Sequence, residues 1–177
     1  MHAAVTRRRA GLGLLVAAGT AALAGCGFQL RQAPRFAFDT LRLAGSEATP
    51  VALELRRQLR LNGLTVIGSD SPTNAAGDAA PQVVLTVLQD QRERRAVGQT
   101  AAGQVRELQL RTRFRFRLRT LAGRDLIDET ELLLERDLSF SETAVLSKAS
   151  EEERLYLDMA DDIVQQVIRR LAAVGPR

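Results

Sequence analysis

Histidine, cysteine, tryptophan and lysine are almost absent from this 177-residue chain. There is one His, one Cys and no Trp, and Lys148 is the sole lysine among 25 basic residues. The His is His2 and the Cys is Cys26, both near the amino terminus. Nothing beyond residue 26 can therefore build a Ser-His-Asp or Cys-His nucleophile, or a metal site from His or Cys. A lone cysteine has no partner for an intrachain disulfide. The chain also lacks a P-loop and a G-x-G-x-x-G turn, and its acids form no convincing pair for acid–base work. These absences argue against an enzyme and against any cofactor.

What is present begins with a leader. Arg7, Arg8 and Arg9 make a cationic start, and residues 10 to 24 are an apolar run too short to span a bilayer comfortably. Leu23, Ala24 and Gly25 then run directly into Cys26. This junction resembles the lipobox of bacterial lipoproteins, which implies cleavage before Cys26 and acylation of its thiol and new amino terminus. Each buried acyl methylene contributes about 0.8 kcal/mol, and several chains on one residue anchor a protein stably. Gly27 in place of Asp favours the outer membrane by analogy with enterobacterial sorting. The expected organisation is a removed signal peptide over 1–25, a lipidated tether over 26–37 and one domain over 38–174.

Removing the leader changes the charge argument. The whole chain is +4, from 25 basic and 21 acidic residues. The leader holds three arginines and no acid, leaving 22 against 21, or +1. The high isoelectric point is thus no sign of a nucleic-acid partner.

The mature chain reads as strand, helix, four strands, helix. FDTLRLAG (38–45) alternates as a strand, and Thr49 with Pro50 opens a helix whose stripe is Val51, Ala52, Leu55 and Leu59. Asn62-Gly63 closes it, and LTVIG (64–68) is a short strand placed for a parallel crossover. A turn-rich loop fills 69–81. Residues 82–94, 105–120 and 126–140 read as strands, with 97–104 a flexible hairpin connection. The last helix is expected to open at Ser150 with a capping box to Glu153. Its stripe is Tyr156, Met159, Ala160, Ile163, Val164, Val167 and Leu171. The fold class is α+β: a two-layer sandwich with two amphipathic helices on one face of a mixed four- to five-stranded sheet, order β-α-β-β-β-β-α. The other face is left wet or covered by another protein.

Residues 111 to 119 place Arg at every odd position and Leu, Phe or Thr at the even ones. On a strand, one face then carries five guanidinium groups. The next strand has Glu129, Glu131, Glu135 and Asp137 at odd positions. A three-residue loop at Gly123, Arg124 and Asp125 would keep odd opposite odd, pairing Arg119 with Glu129, Arg117 with Glu131, Arg113 with Glu135 and Arg111 with Asp137. Such a ladder is worth tenths of a kcal/mol per pair. Arginines that lack acidic partners in this ladder are Arg92, Arg94, Arg95 and Arg106, around the hairpin tip. Their forks suit phosphate, so these four are the candidate anion site.

Taken in order, these features resemble the LPS-assembly lipoprotein family (LptE, also called RlpB). The resemblance rests on CGFQLR after the cleavage point, TPVALELRRQLRLNGLTVI, the LQLRTRFRFRLRTLAGRDLI hairpin, LLLERDLSF, and ASEEERLYLDMADDIVQQVIRRL. It spans essentially the whole mature chain. It implies a heterodimer with the outer-membrane β-barrel LptD, in which this protein acts as plug and assembly factor, and help in delivering lipopolysaccharide to the outer leaflet. It also implies direct lipopolysaccharide binding in some members, for which Arg92, Arg94, Arg95 and Arg106 are the candidates here. The alternative is a periplasmic lipoprotein subunit of another envelope machine, such as a lipid-transport ATPase accessory or a barrel-assembly component.

Overall fold

A computed structural model describes residues 34–68, 80–140 and 145–175. Cys26, the leader, the start of the tether and most of the 69–81 loop lie outside the described residues. Seven elements follow in order: β1 (Thr40–Gly45), α1 (Pro50–Leu61), β2 (Thr65–Ile67), β3 (Val83–Gln99), β4 (Val105–Thr120), β5 (Asp125–Ser139) and α2 (Val145–Ala172). The strands form one mixed sheet in the order β2-β1-β3-β4-β5. β1 runs parallel to both β2 and β3, and the long β3, β4 and β5 form an antiparallel meander.

Both helices bury their stripes on the same side. Leu41 and Leu43 of β1, Val83, Leu85 and Val87 of β3, and Phe114, Phe116 and Leu118 of β4 meet Val51, Leu55 and Leu59 of α1 and Ile163, Val164 and Val167 of α2. Each such side chain contributes roughly 1.5–3 kcal/mol on burial. A second, smaller cluster of Leu108, Leu110, Leu138, Tyr156 and Met159 lies toward the hairpin tip. None of the described helices is long and apolar enough to cross a membrane.

β3 changes facing partway along. Val87 stands opposite Phe116 but Gln89 opposite Arg115, so Leu88 is an extra residue, a bulge. Before it the odd residues of β3 face the helices; after it, as far as Ala96, the even ones do. Asp90, Arg92 and Arg94 are thereby turned toward α1 and α2, opposite Phe114, Thr112 and Leu110. Asp90 Oδ2 accepts the backbone N–H of Val51 at 2.9 Å. That satisfies one of the free donors at the start of α1 and sets a carboxylate on the positive end of its dipole. Thr49 occupies the N-cap position with extended backbone angles, but its side chain makes no cap bond. Its hydroxyl donates to the Ser46 carbonyl at 2.8 Å instead.

Two turns share one construction. In each, a Thr and the residue four further on close a three-residue loop: Thr100 N–H to the Gln104 carbonyl at 2.9 Å, and Thr120 N–H to the Arg124 carbonyl at 2.9 Å. The third loop residue is Gly103 or Gly123, at φ +80° and +84°, a region that favours glycine. Each Thr hydroxyl accepts the N–H of the closing residue, at 3.1 and 3.2 Å. The pattern T-x-A-G-x, TAAGQ and TLAGR, is written twice in the chain.

Two expectations need correction. The β4–β5 loop has three residues, but they are Leu121, Ala122 and Gly123, two positions earlier than expected. With register shifts between Phe116 and Arg119, this sets Arg111 opposite Glu135, Arg113 opposite Leu133, Arg115 opposite Glu131 and Arg119 opposite Asp125. A slip of two leaves every side chain on its own face, so apolar alternation cannot detect it. The last helix begins at Val145, not Ser150. Ser150 sits inside it, its hydroxyl donating to the Ser147 carbonyl at 2.8 Å, and Glu153 turns to Arg92.

Asp90→Ala is expected to lower unfolding free energy by about 1–2 kcal/mol, measured by urea denaturation, because it strips α1 of its capping acceptor. Thr112 is fully buried with its hydroxyl lacking a hydrogen-bond partner. Thr112→Val is expected to raise stability by about 1 kcal/mol in the same assay, and a loss would show that the hydroxyl has a partner after all.

Candidate functional site

Helices cover one face of the sheet; the other is a polar surface centred on β4. Four of the five arginines between 111 and 119 meet carboxylates. Arg111 Nε lies 2.7 Å from Glu135 and its Nη1 3.6 Å from Glu93 of β3. Arg113 reaches diagonally to Glu131 at 3.2 Å, and Arg115 diagonally to Glu129 at 3.0 Å. Arg119 grips Asp125 with Nε at 2.5 Å and Nη2 at 3.2 Å. The ladder expected from sequence therefore exists on the expected face with different partners. Arg117 has no carboxylate partner among the described residues.

The four tip arginines are not brought to one place. Arg92 and Arg94, turned by the Leu88 bulge, lie against the start of α2. Arg92 Nη1 is 3.2 Å from Glu153, and its guanidinium carbon lies 4.9 Å from the centre of the Tyr156 ring. Arg94 Nε is 3.5 Å from Glu152, with its guanidinium 5.8 Å from the Phe140 ring. Both have acidic partners, supplied about 60 residues away in the chain, where sequence inspection of the neighbouring strand finds none. Arg95 is on the open face with only Glu93 nearby, at 3.9 Å. Arg106 is exposed; its carbonyl accepts Phe140 N–H at 2.8 Å, and its guanidinium has no partner among the described residues. Arg106 thus keeps a free head and Arg95 is held only by Glu93 at 3.9 Å, while Arg92 and Arg94 fasten α2 to the sheet.

The first turns of α2 add a cation that the sequence reading passed over. Lys148 Nζ donates to Ser139 Oγ at 3.1 Å and to Glu151 at 2.8 Å. It stands at the C-terminal end of β5, where Ser139 pairs with Glu107 beside Arg106. Tyr156 ties the same region together: its hydroxyl donates to the Glu93 carbonyl at 2.7 Å. Burial raises its pKa, Glu152 adds to the rise, and Arg92 and Arg94 partly offset it. Among the described residues no group of His, Cys, Asp or Glu is placed to hold a metal ion.

The hydrogen bond from Arg119 holds the Asp125 carboxyl below its ordinary 3.8; desolvation opposes it, and the charges of Arg119 and Arg117 add smaller contributions in the same downward direction. A lowered folded-state pKa means the pair stabilises at neutral pH and loses that contribution as pH falls through the depressed value, below 3.8. Arg119→Gln is expected to move the Asp125 pKa up toward 3.8 in a carboxyl-carbon NMR titration; an unmoved titration curve would contradict the pairing.

Comparison with known proteins bears on this arrangement. The family model LptE, lipopolysaccharide-assembly, matches residues 38–171. The solution NMR structure of an uncharacterized lipoprotein B from Nitrosomonas europaea is 30% identical, with a TM-score of 0.66, covering 83% of this chain and 91% of that one. The crystal structure of rare lipoprotein B from Shewanella oneidensis gives 21% identity and a TM-score of 0.59 over 76% of this chain and 94% of that one. A minor lipoprotein from Acinetobacter baumannii gives 22% and 0.59, over 78% and 94%; at such identities these two share the fold. No curated protein matches the chain.

Proposed function

The chain belongs to the LptE family of lipopolysaccharide-assembly proteins, and from that membership we propose that it is an outer-membrane lipoprotein, anchored through Cys26, that partners the β-barrel LptD. On this reading the mature protein starts at Cys26, uses residues 26–37 as a lipidated tether and works through a single domain over 38–174. It fills the barrel as a plug, assists the barrel's assembly and contributes to the passage of lipopolysaccharide to the outer leaflet. Its role is non-catalytic.

The observation that carries this reading is the one-sided sheet. Helices cover only one face, and the other presents Arg111, Arg113, Arg115 and Arg119 with their paired acids. A broad polar face of this kind suits the polar lumen of a large barrel, and the leader fits delivery to the envelope. Lipopolysaccharide carries phosphates, and the tip arginines offer forks for them. Arg106, whose head is free, and Arg95, held only by Glu93 at 3.9 Å, are the first contacts; Arg92 and Arg94 join by exchanging Glu153 and Glu152 for phosphate.

Pull-down of the full chain through a C-terminal tag from membranes in mild detergent is expected to bring down one large outer-membrane barrel in equal amount. Recovery of an inner-membrane transporter or the barrel-assembly complex instead would move the assignment to the alternative class of envelope lipoprotein. In an in vitro lipopolysaccharide binding assay at low salt, Arg95→Ala with Arg106→Ala is expected to weaken binding about tenfold with an unchanged melting temperature. Arg92→Ala is expected to cost about 1 kcal/mol of stability as well, because it removes a packed cation from Tyr156. Unaltered binding after all four arginines are replaced would remove the tip from the binding site.

A further inference from the structure

The open face is neutralised unevenly, and the exception is local. Arg117 falls where the β4–β5 register shifts between Phe116 and Leu118, so no β5 residue is paired directly across from it. Asp125 feels its charge, but both oxygens of that carboxylate are held by Arg119. On the other side Arg117 stands opposite Thr86 of β3, and Thr86 opposite Ala44 of β1. Two residues back on β1 is Arg42, in register with Val84 and through it with Arg119. Arg42 also has no acidic partner among the described residues. With strands about 4.8 Å apart, the Cα atoms of Arg42 and Arg117 are about 10–12 Å apart across two strand spacings. Only Val84 and Thr86 stand between them, and two arginine side chains can meet above these small residues.

The donors point the same way. Nε and Nη2 of Arg42 are both buried without a hydrogen-bond partner, as is Nε of Arg117; on Arg111 and Arg115 of the same face Nε alone is so, and those two side chains have carboxylates at 2.7 and 3.0 Å. Nε and Nη2 form the side-on fork of a guanidinium. Arg119 uses that fork on Asp125, and Arg57 uses it on Glu54 at 2.8 and 2.5 Å. Charged donors sheltered from water and left unmatched are costly, and they mark places where an acceptor is to be expected.

We propose that Arg42 and Arg117 form a binding site for a phosphate group on the open sheet face. It lies on the opposite face from Arg92 and Arg94 and, measured along β3, roughly 25–30 Å from Arg95. A carboxylate is saturated by one fork, as Asp125 is by Arg119. A phosphate has enough oxygens for two forks at once, and its dianion balances two guanidinium charges. Thr86 supplies a hydroxyl between them. This site follows from the sheet alone and stands apart from the family reading.

The test uses the isotope-labelled full chain in detergent, following arginine Nε–H NMR signals during titration with sodium phosphate against sodium chloride of equal ionic strength. A second arm uses vesicles of phosphatidylcholine containing phosphatidic acid. The Arg42 and Arg117 signals are expected to shift saturably, those of Arg57 and Arg119 far less, and R42Q or R117Q to weaken the response about tenfold. A response to soluble phosphate alone assigns the site to a free anion, and a response to both assigns it to a lipid headgroup. No selective shift in either arm, or the same response in both variants, overturns the proposal.

Discussion

Leu88 is one residue too many for the ladder between β3 and β4, and the consequences of that surplus run through the molecule. Without the bulge, a strand that begins Val83-x-Leu85-x-Val87 toward the helices would continue with Gln89, Gln91 and Glu93 in the same direction. With it, Asp90 arrives under the first turn of α1, and Arg92 and Arg94 arrive under the first half of α2. A helix start needs an acceptor, and a long helix rich in Glu151, Glu152 and Glu153 needs cations beneath it. One inserted residue meets both needs, and the added local twist lets the hairpin continue past the main core.

The two faces of the sheet therefore use charge differently. Under the helices, charged groups sit at the rim of an apolar core, and the guanidinium groups of Arg92 and Arg94 lie over the Tyr156 and Phe140 rings. On the open face, charge is the main content. Most of the arginines there are cancelled by neighbours, each pair contributing little to stability. The ladder serves to keep the surface polar, ordered and close to neutral. The Arg42–Arg117 corner stands out because its surroundings on that face are otherwise so well matched.

How far the amino-acid order alone reaches is instructive here. Element sequence, helix stripes and the sorting of side chains to two faces all follow from periods of 2 and 3.6, and those periods are strong in β4 and in both helices. Register is weaker, because moving the β5 pairing by two residues preserves every face; the expected positions opposite Arg111 and Arg113 were displaced by two, and that opposite Arg119 by four, past the further register shifts near Leu118. The missing signal was the repeated T-x-A-G-x turn, whose Thr and Gly specify where each loop closes. The bulge left no comparable mark, since Leu88 is as apolar as its neighbours. The acidic partners of Arg92 and Arg94 were hidden by distance along the chain, and an apparent capping box at Ser150 lies within a helix that had already begun.

β5 forms one edge of the sheet, and its outer row of N–H and C=O groups is unpaired within the described residues. Along its length are Asp125, Asp128, Glu129, Glu131, Glu135 and Asp137, with Arg136 the only base. A second copy aligning its own β5 on this edge would bring acid against acid over nearly the whole strand. Templated growth of one sheet onto another, the route by which exposed strands seed fibrils, is opposed by that repulsion. The same acids that quiet the arginine row thus also protect the chain from its own kind while it is unaccompanied.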